Sequence, residues 1–163
     1  MSKYLIFATV SLVLLLSSIS STAVAVAFPQ ITSSFSASLI LAGWVLSIYQ
    51  LAATAVMPIA GKASDAFGRK FTLMLCLSLF TLGSLLCTIA PNIELLIFSR
   101  FIQAIGGGGF FPSATGLVAD EFPRSRQQSI GLLTSIFAIG QIIGPNLGGW
   151  MITVSRSIRV TSI

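Results

Sequence analysis

Gly61-Lys62-Ala63-Ser64-Asp65-Ala66-Phe67-Gly68-Arg69-Lys70 is a short charged stretch between two long uncharged ones. Residues 4–61 before it carry no charged side chain, and neither do residues 71–93 after it. A helix needs about 20 apolar residues to cross the hydrocarbon layer of a bilayer. The 4–61 run is too long for one crossing and is interrupted at Phe28-Pro29-Gln30 and at the polar run Thr32-Ser33-Ser34-Phe35-Ser36. Working outward, spans fall at about 4–28, 40–60, 71–90, 93–118 and 128–154. The fold class expected is an all-α membrane protein, a bundle of about five transmembrane helices forming one unit over residues 1–154.

Composition agrees. The 163 residues are 55% hydrophobic and 8% charged, with a mean hydropathy of +0.97. A water-facing surface needs about a quarter of residues charged, so lipid must cover most of this one. The net charge of +5 reports orientation rather than a nucleic-acid partner, because no basic cluster is interleaved with exposed aromatics. With the N-terminus cytoplasmic, Lys3, Lys62, Arg69, Lys70, Arg124 and Arg126 all lie inside. The outer loops near 29–39 and 91–93 hold no lysine or arginine. Residues 155–163 break this pattern with Arg156 and Arg159, which reads as a truncation or frameshift of a longer frame. The N-terminus also imitates a secretory signal, with Ala25-Val26-Ala27 resembling a cleavage site. An apolar stretch of about 25 residues is long for a signal core, so it is expected to stay as a span.

Enzyme chemistry has little to work with. There is no histidine, and the four carboxylates are Asp65, Glu94, Asp120 and Glu121. Cys76 and Cys87 lie about 16 Å apart along one helix, too far for a disulfide within it. No cofactor and no metal site is expected.

Three segments carry more specific information. In the first, Gly61–Lys70, two glycines allow a tight reversal, Asp65 can meet a helix N-terminus or a cation, and Arg69 and Lys70 anchor a membrane surface. The frame G-x-x-x-D-x-x-G-R-[KR] resembles the cytoplasmic signature loop of the major facilitator superfamily. That resemblance implies a gating loop with Asp65 and Arg69 in a charge network, although Ala66 stands where a basic residue is usual.

The second segment is Arg100-Phe101-Ile102-Gln103-Ala104-Ile105-Gly106-Gly107-Gly108-Gly109. Arg100 lies about 9 Å inside its span by helical rise, where a charge costs about 2.5 kcal/mol or more unless it faces a polar interior or snorkels to the surface. The glycine run leaves a smooth face for close helix contact or for substrate passage. The frame is similar to the fourth-helix motif of proton-driven members, with one extra residue before Gly106. It implies that Arg100 is linked to proton transfer and that Gln103 and Gly106 belong to the cavity.

The third is Gly140-Gln141-Ile142-Ile143-Gly144-Pro145-Asn146-Leu147-Gly148-Gly149. Glycines four apart form one small-residue stripe that lets helix backbones approach, and Pro145 removes a backbone donor. The pattern looks like the antiporter motif of drug-efflux members, implying that Gly140, Gly144, Pro145, Gly148 and Gly149 seal and bend the fifth span.

Trp44-Val45-Leu46-Ser47-Ile48-Tyr49-Gln50-Leu51-Ala52 resembles the second helix of the fourteen-helix drug:proton antiporter branch, with Gln50 toward the cavity. Trp44 reads equally as an interfacial anchor. The first span departs from that branch: Ser20 stands where an aspartate is usual and cannot carry a proton. Its neighbours Ser17-Ser18-Ile19-Ser20-Ser21-Thr22 either offer hydroxyls to a cavity or back-bond to their own helix.

The function implied is secondary transport, an efflux of drug-like hydrophobic or cationic small molecules exchanged for protons. The implied setting is a bacterial inner or plasma membrane, with lipid and small-molecule substrate as partners. The alternative is a small membrane protein that serves only as a helix-packing or assembly partner.

Overall fold

The computed structural model describes residues 3–160, with the backbone alone described for 151–160. Residues 161–163 of the expected tail, and the side chains of Arg156 and Arg159, therefore lie outside the described residues. Six helices follow one another: α1 Lys3–Val26, α2 Phe28–Ser34, α3 Leu39–Phe67, α4 Arg69–Thr88, α5 Ile93–Glu121 and α6 Arg126–Val160. Five of them are long and apolar enough to cross a membrane, with α2 the exception. Large apolar side chains such as Leu12, Leu16, Ile40, Leu51, Met74, Phe98 and Ile142 stand exposed around the bundle. In lipid that is their buried state, and the chain is an integral membrane protein.

Helix boundaries follow local chemistry. Ser38 caps α3 by accepting from the Leu41 N–H at 3.3 Å, and Asn92 caps α5 by accepting from the Leu95 N–H at 2.8 Å. Glu94 adds a negative charge to the first turn of α5, where the helix dipole favours it. Phe122 and Pro123 close α5, and a turn from the Ser125 N–H to the Phe122 carbonyl at 3.2 Å leads into α6.

Two expectations are corrected here. The break expected at Pro29 is helical as α2, up to Ser34 of the polar run, because proline is tolerated in a first turn and the hydroxyls bond back to the helix. Thr32 Oγ1 donates to the Phe28 carbonyl at 3.0 Å and Ser33 Oγ to that of Gln30 at 3.0 Å. Gly61 is also not part of a reversal. The helix α3 runs 29 residues, about 43 Å, and carries Gly61, Lys62 and Asp65 on its last turns beyond the roughly 30 Å hydrocarbon layer. The whole reversal is made by Gly68, at φ 93°, which ends α3 and begins α4. A side chain at that φ would be strained.

The helix α5 is the centre of the bundle: 50% of its span is buried, against 28% or less for every other span. It lies between α3 and α4, while α6 runs along α1. Glycine makes both arrangements possible. On α5, Gly106 and Gly109 face Cys76 and Phe80 of α4, and Gly107 and Gly108 face Tyr49 and Ala53 of α3. On α4, a Cβ at Gly83 would stand 2.5 Å from the Gln103 backbone nitrogen. On α6, Gly140, Gly144 and Gly148 all face α1, against Ser18, Thr22 and Ala23. Ser18 Oγ reinforces that contact by donating to the Phe137 carbonyl at 2.7 Å. At one end of the bundle, Ile6, Val10 and Leu14 of α1 close a core with Cys76, Phe110, Ala114, Val118 and Leu133.

Backbone contact of this kind leaves no room for a side chain. We expect Gly106→Leu to lower the thermal midpoint in detergent by about 3–10 °C, as overpacking costs about 1–3 kcal/mol. Gly43→Ala, in open space on α3, is expected to leave it unchanged. A thermal unfolding scan of the two variants checks both.

Candidate functional site

Between the α1/α6 pair and α3/α5 lies a cavity of about 530 Å³. Ser17, Ser21 and Thr22 of α1, Tyr49, Gln50 and Met57 of α3, Arg100 of α5, and Phe137, Gln141 and Pro145 of α6 line it. A second cavity, of about 370 Å³, lies toward α2, lined by Ser20 and Val24 of α1, Ile31 of α2 and Phe35 just after it, and Ser84, Cys87, Arg100 and Gln103. Arg100 and Val45 belong to both walls. Arg100 thus stands where the two cavities meet, with only 4% of its surface exposed.

Several helices hold that guanidinium. Arg100 Nη1 donates to Gln103 Oε1 at 2.6 Å, one turn along α5. Gln103 Nε2 in turn donates to Ser84 Oγ of α4 at 2.7 Å and, more weakly, to Ser20 Oγ of α1 at 3.5 Å. The Tyr49 ring of α3 lies 5.5 Å from the guanidinium carbon, a cation–π contact. Ser17 lies within hydrogen-bonding reach of the Tyr49 hydroxyl. Four helices thus converge on one buried cation. Both ion pairs among the described residues involve Arg69, so no carboxylate offsets Arg100 there.

The second cluster is at the end of the bundle that carries Lys3, Lys62, Arg69, Lys70, Arg124 and Arg126. Arg69 Nη1 meets Asp65 Oδ1 at 3.2 Å, one turn away across Gly68, and Arg69 Nε donates to Asp120 Oδ2 at 2.5 Å. The guanidinium lies over Gly116 of α5, where a Cβ would stand 2.6 Å from Arg69 Cζ. Arg69 is 29% exposed and the two carboxylates more than 60%, so screening by water and salt keeps each pair modest. One arginine therefore ties the end of α3, the start of α4 and the end of α5.

The structure brings together Arg100, Gln103 and Ser20 in one network, and Asp65 with Arg69 in the other. Gln50 and Pro145 line the larger cavity. Gly106, expected beside the cavity, instead abuts α4; Gly107 and Gly108, one and two steps round the helix, line the cavity in its place. The reason is rotation, since each residue turns the helix by about 100°. Lys70 is exposed on the first turn of α4, apart from the Arg69 pairs. Gly149 lies near Val26, 3.9 Å from where its Cβ would be. The serine cluster of α1 does both things considered for it: Ser21 and Thr22 bond back to the Ser18 carbonyl, each at 2.9 Å, while also lining the cavity. Sequence reasoning did not single out Asp120, Tyr49 as an arginine partner, Ser84 or Gln141. The available signal for Asp120 was its place at the end of the fourth apolar run, the same end as Arg69.

Comparison with known proteins adds an independent line. The family model described as Major Facilitator Superfamily matches residues 10–161. The chain is 38% identical over 146 residues to Efflux pump dotC of Dothistroma septosporum, covering 89% of this chain and 25% of that protein. It is 39% identical over 132 residues to Multidrug resistance protein B homolog of Mycobacterium tuberculosis, covering 80% and 24%. It is 35% identical over 130 residues to Uncharacterized MFS-type transporter YfiU of Bacillus subtilis, covering 79% and 25%. The chain spans about a quarter of the length of these relatives.

Removing the hydrogen-bond partner of a buried cation is costly. Gln103→Leu is expected to destabilise the bundle by about 2 kcal/mol, seen as a thermal midpoint lower by several degrees. Gln103→Glu, which keeps the acceptor and adds a counter-charge, is expected to retain or raise it, and the same unfolding scan reads both.

Proposed function

Because the chain belongs to the major facilitator superfamily, we propose that it supplies five spans of a secondary transporter that exports small hydrophobic molecules in exchange for protons. The observation that carries this reading is the buried, unneutralised Arg100 where two cavities with scattered hydroxyl and amide groups on mainly apolar walls meet inside the bundle. A charge at such depth is expensive and marks a functional path in membrane proteins. A guanidinium keeps its charge in proteins. Its part in proton coupling is therefore electrostatic: its field favours the deprotonated form of any acid that enters the cavity.

The remaining roles follow from what each group touches. On this reading the basic end of the bundle, with the N-terminus, faces the cytoplasm, in keeping with the inward bias of lysine and arginine. There the Asp65–Arg69–Asp120 cluster acts as a latch. It joins three helix ends by bonds weak enough to break in each cycle. The α6 glycines let that helix lie close on α1 beside the cavity, and Pro145 lines the cavity wall, so a shift of the α1/α6 pair against α3 and α5 opens or seals it. The alternative of a mere packing partner loses its main support, because these glycines already face a helix of the same chain.

Transport in inverted membrane vesicles from cells expressing the protein tests the proposal. Uptake of an uncharged lipophilic fluorophore is expected to require an imposed proton gradient and to stop when an uncoupler collapses it. Arg100→Ala is expected to slow uptake about 10-fold or more, equivalent to about 1.4 kcal/mol or more of lost stabilisation. Uptake that ignores the gradient, or an Arg100→Ala variant at the normal rate, contradicts it.

A further inference from the structure

The smaller cavity has two layers at different depths. The helices α1 and α4 run away from the basic end of the bundle and α5 runs back toward it, so Val24, Cys87 and Leu96 line the cavity nearest the far end. One to two turns deeper on the same three helices stand Ser20, Ser84 and Gln103, joined through the Gln103 amide. The outer layer is apolar, since a free cysteine behaves as a small hydrophobe, and the inner layer is polar. Over the outer layer lies α2. Its Ile31, with Phe35 just after it, lines the same cavity, and both pack with Phe28 against the cluster of Val45, Ile93 and Leu96. Away from that contact Ser33 and Ser34 are exposed, and the Thr32 and Ser33 hydroxyls bond to carbonyls of α2 itself. Among the described residues, apolar contact rather than side-chain hydrogen bonding holds α2 on the bundle.

Both ends of this short helix are weak points. At its start, Ala27 interrupts the run from α1 into α2, and Pro29 has no N–H with which to hold a carbonyl of the preceding turn. At its end, the Ala37 N–H donates to the Thr32 carbonyl at 3.1 Å and the Ser36 N–H to that of Ser33 at 3.4 Å. Glycine is the usual residue at the left-handed position of such a helix end. Ser36 occupies it, at φ 47°, the one positive φ on a non-glycine among the described residues. A side chain in that conformation raises the energy of the closed cap. We propose that α2 is a lid. It turns as a unit about Ala27–Pro29 and Ser36, lifts Ile31 and Phe35 off the outer layer, and admits water from the far end to the polar floor of Ser20, Ser84 and Gln103. A narrow apolar passage excludes water while the lid is down. Opening is local, because the contacts it breaks belong to seven residues and leave the five spans in place. The lid governs access from one face of the bundle and does not depend on what the larger cavity carries.

Cys87, half-buried in the outer layer, reports the lid's position. In protein carrying Cys76→Ala and held in oriented liposomes, the rate at which a membrane-impermeant methanethiosulfonate labels Cys87 is measured from each side. Ser33→Cys, with both native cysteines replaced by alanine, gives the rate of an exposed thiol on α2 itself. Cys87 is expected to react from the same side as Ser33→Cys but about 10-fold or more slowly, as a site reached only by local opening. Phe35→Ala, which thins the seal, is expected to speed Cys87 labelling about 10-fold. Ser36→Gly, which relieves the left-handed position and favours the lowered lid, is expected to slow it about 3-fold or more. Ser36→Gly removes no apolar contact, so general loosening of the fold does not imitate its effect. Cys87 labelling as fast as that of Ser33→Cys overturns the proposal, as does reaction only from the face that carries Arg69. A rate that either folded variant leaves unchanged or moves the other way overturns it too. Gradient-driven uptake tests the transport reading separately, so either can fail alone.

Discussion

Lipid gives one helix no reason to prefer another, so the bundle depends on contacts close enough for backbone to meet backbone. The helix α5 meets that constraint with four successive glycines, which let α4 approach on one side and α3 on the other. Consecutive positions turn by about 100°, so a run of four small residues serves more than one neighbour, where a stripe spaced by four serves a single one. The α6 stripe is the second kind, and its neighbour is α1. The interior thus has two packed units, α3/α4/α5 and α1/α6, with the larger cavity along the seam between them.

Electrostatics then divides the molecule by depth. At the basic end, Arg69 shares its charge with two exposed carboxylates on different helices, a contact that solvent keeps weak and reversible. Deep inside, Arg100 has a neutral amide and an aromatic ring as neighbours. The same residue type therefore does opposite things. The first joins helix ends without holding them tightly, and the second maintains a standing demand for negative charge inside an apolar bundle. The proposed efflux role derives from that demand.

Much of the architecture was legible because it depends on composition along the chain. Charge-free runs mark where lipid lies, and no tertiary knowledge is needed to see them. Helix ends were less legible, since hydrogen bonding does not stop where polar residues begin. Thr32 and Ser33 continue a helix by bonding backward, and α3 carries Lys62 and Asp65 past the membrane on unbroken turns. The glycine stripe on α6 was visible from its period, whereas its neighbour was not. Within the site, Arg100, Gln103 and Ser20 announced themselves as polar groups inside spans. Gly106 was assigned to the wrong face, because a cavity wall and a helix contact differ by a single residue's rotation. Asp120 and Tyr49 were missed for another reason: their importance lies in partners 51 residues away and on a different helix, and no local pattern encodes that.

The central claim is that five helices cross the bilayer alternately and put Lys62 and Ser125 at one end, with Ser36 and Asn92 at the other. Single cysteines at those four positions, in a background where Cys76 and Cys87 are replaced by alanine, can be labelled with a membrane-impermeant maleimide from either side of oriented vesicles. Lys62→Cys and Ser125→Cys are expected to react from one side, and Ser36→Cys and Asn92→Cys from the opposite side. Labelling of Lys62→Cys and Ser125→Cys from opposite faces, or of all four from the same face, would contradict it.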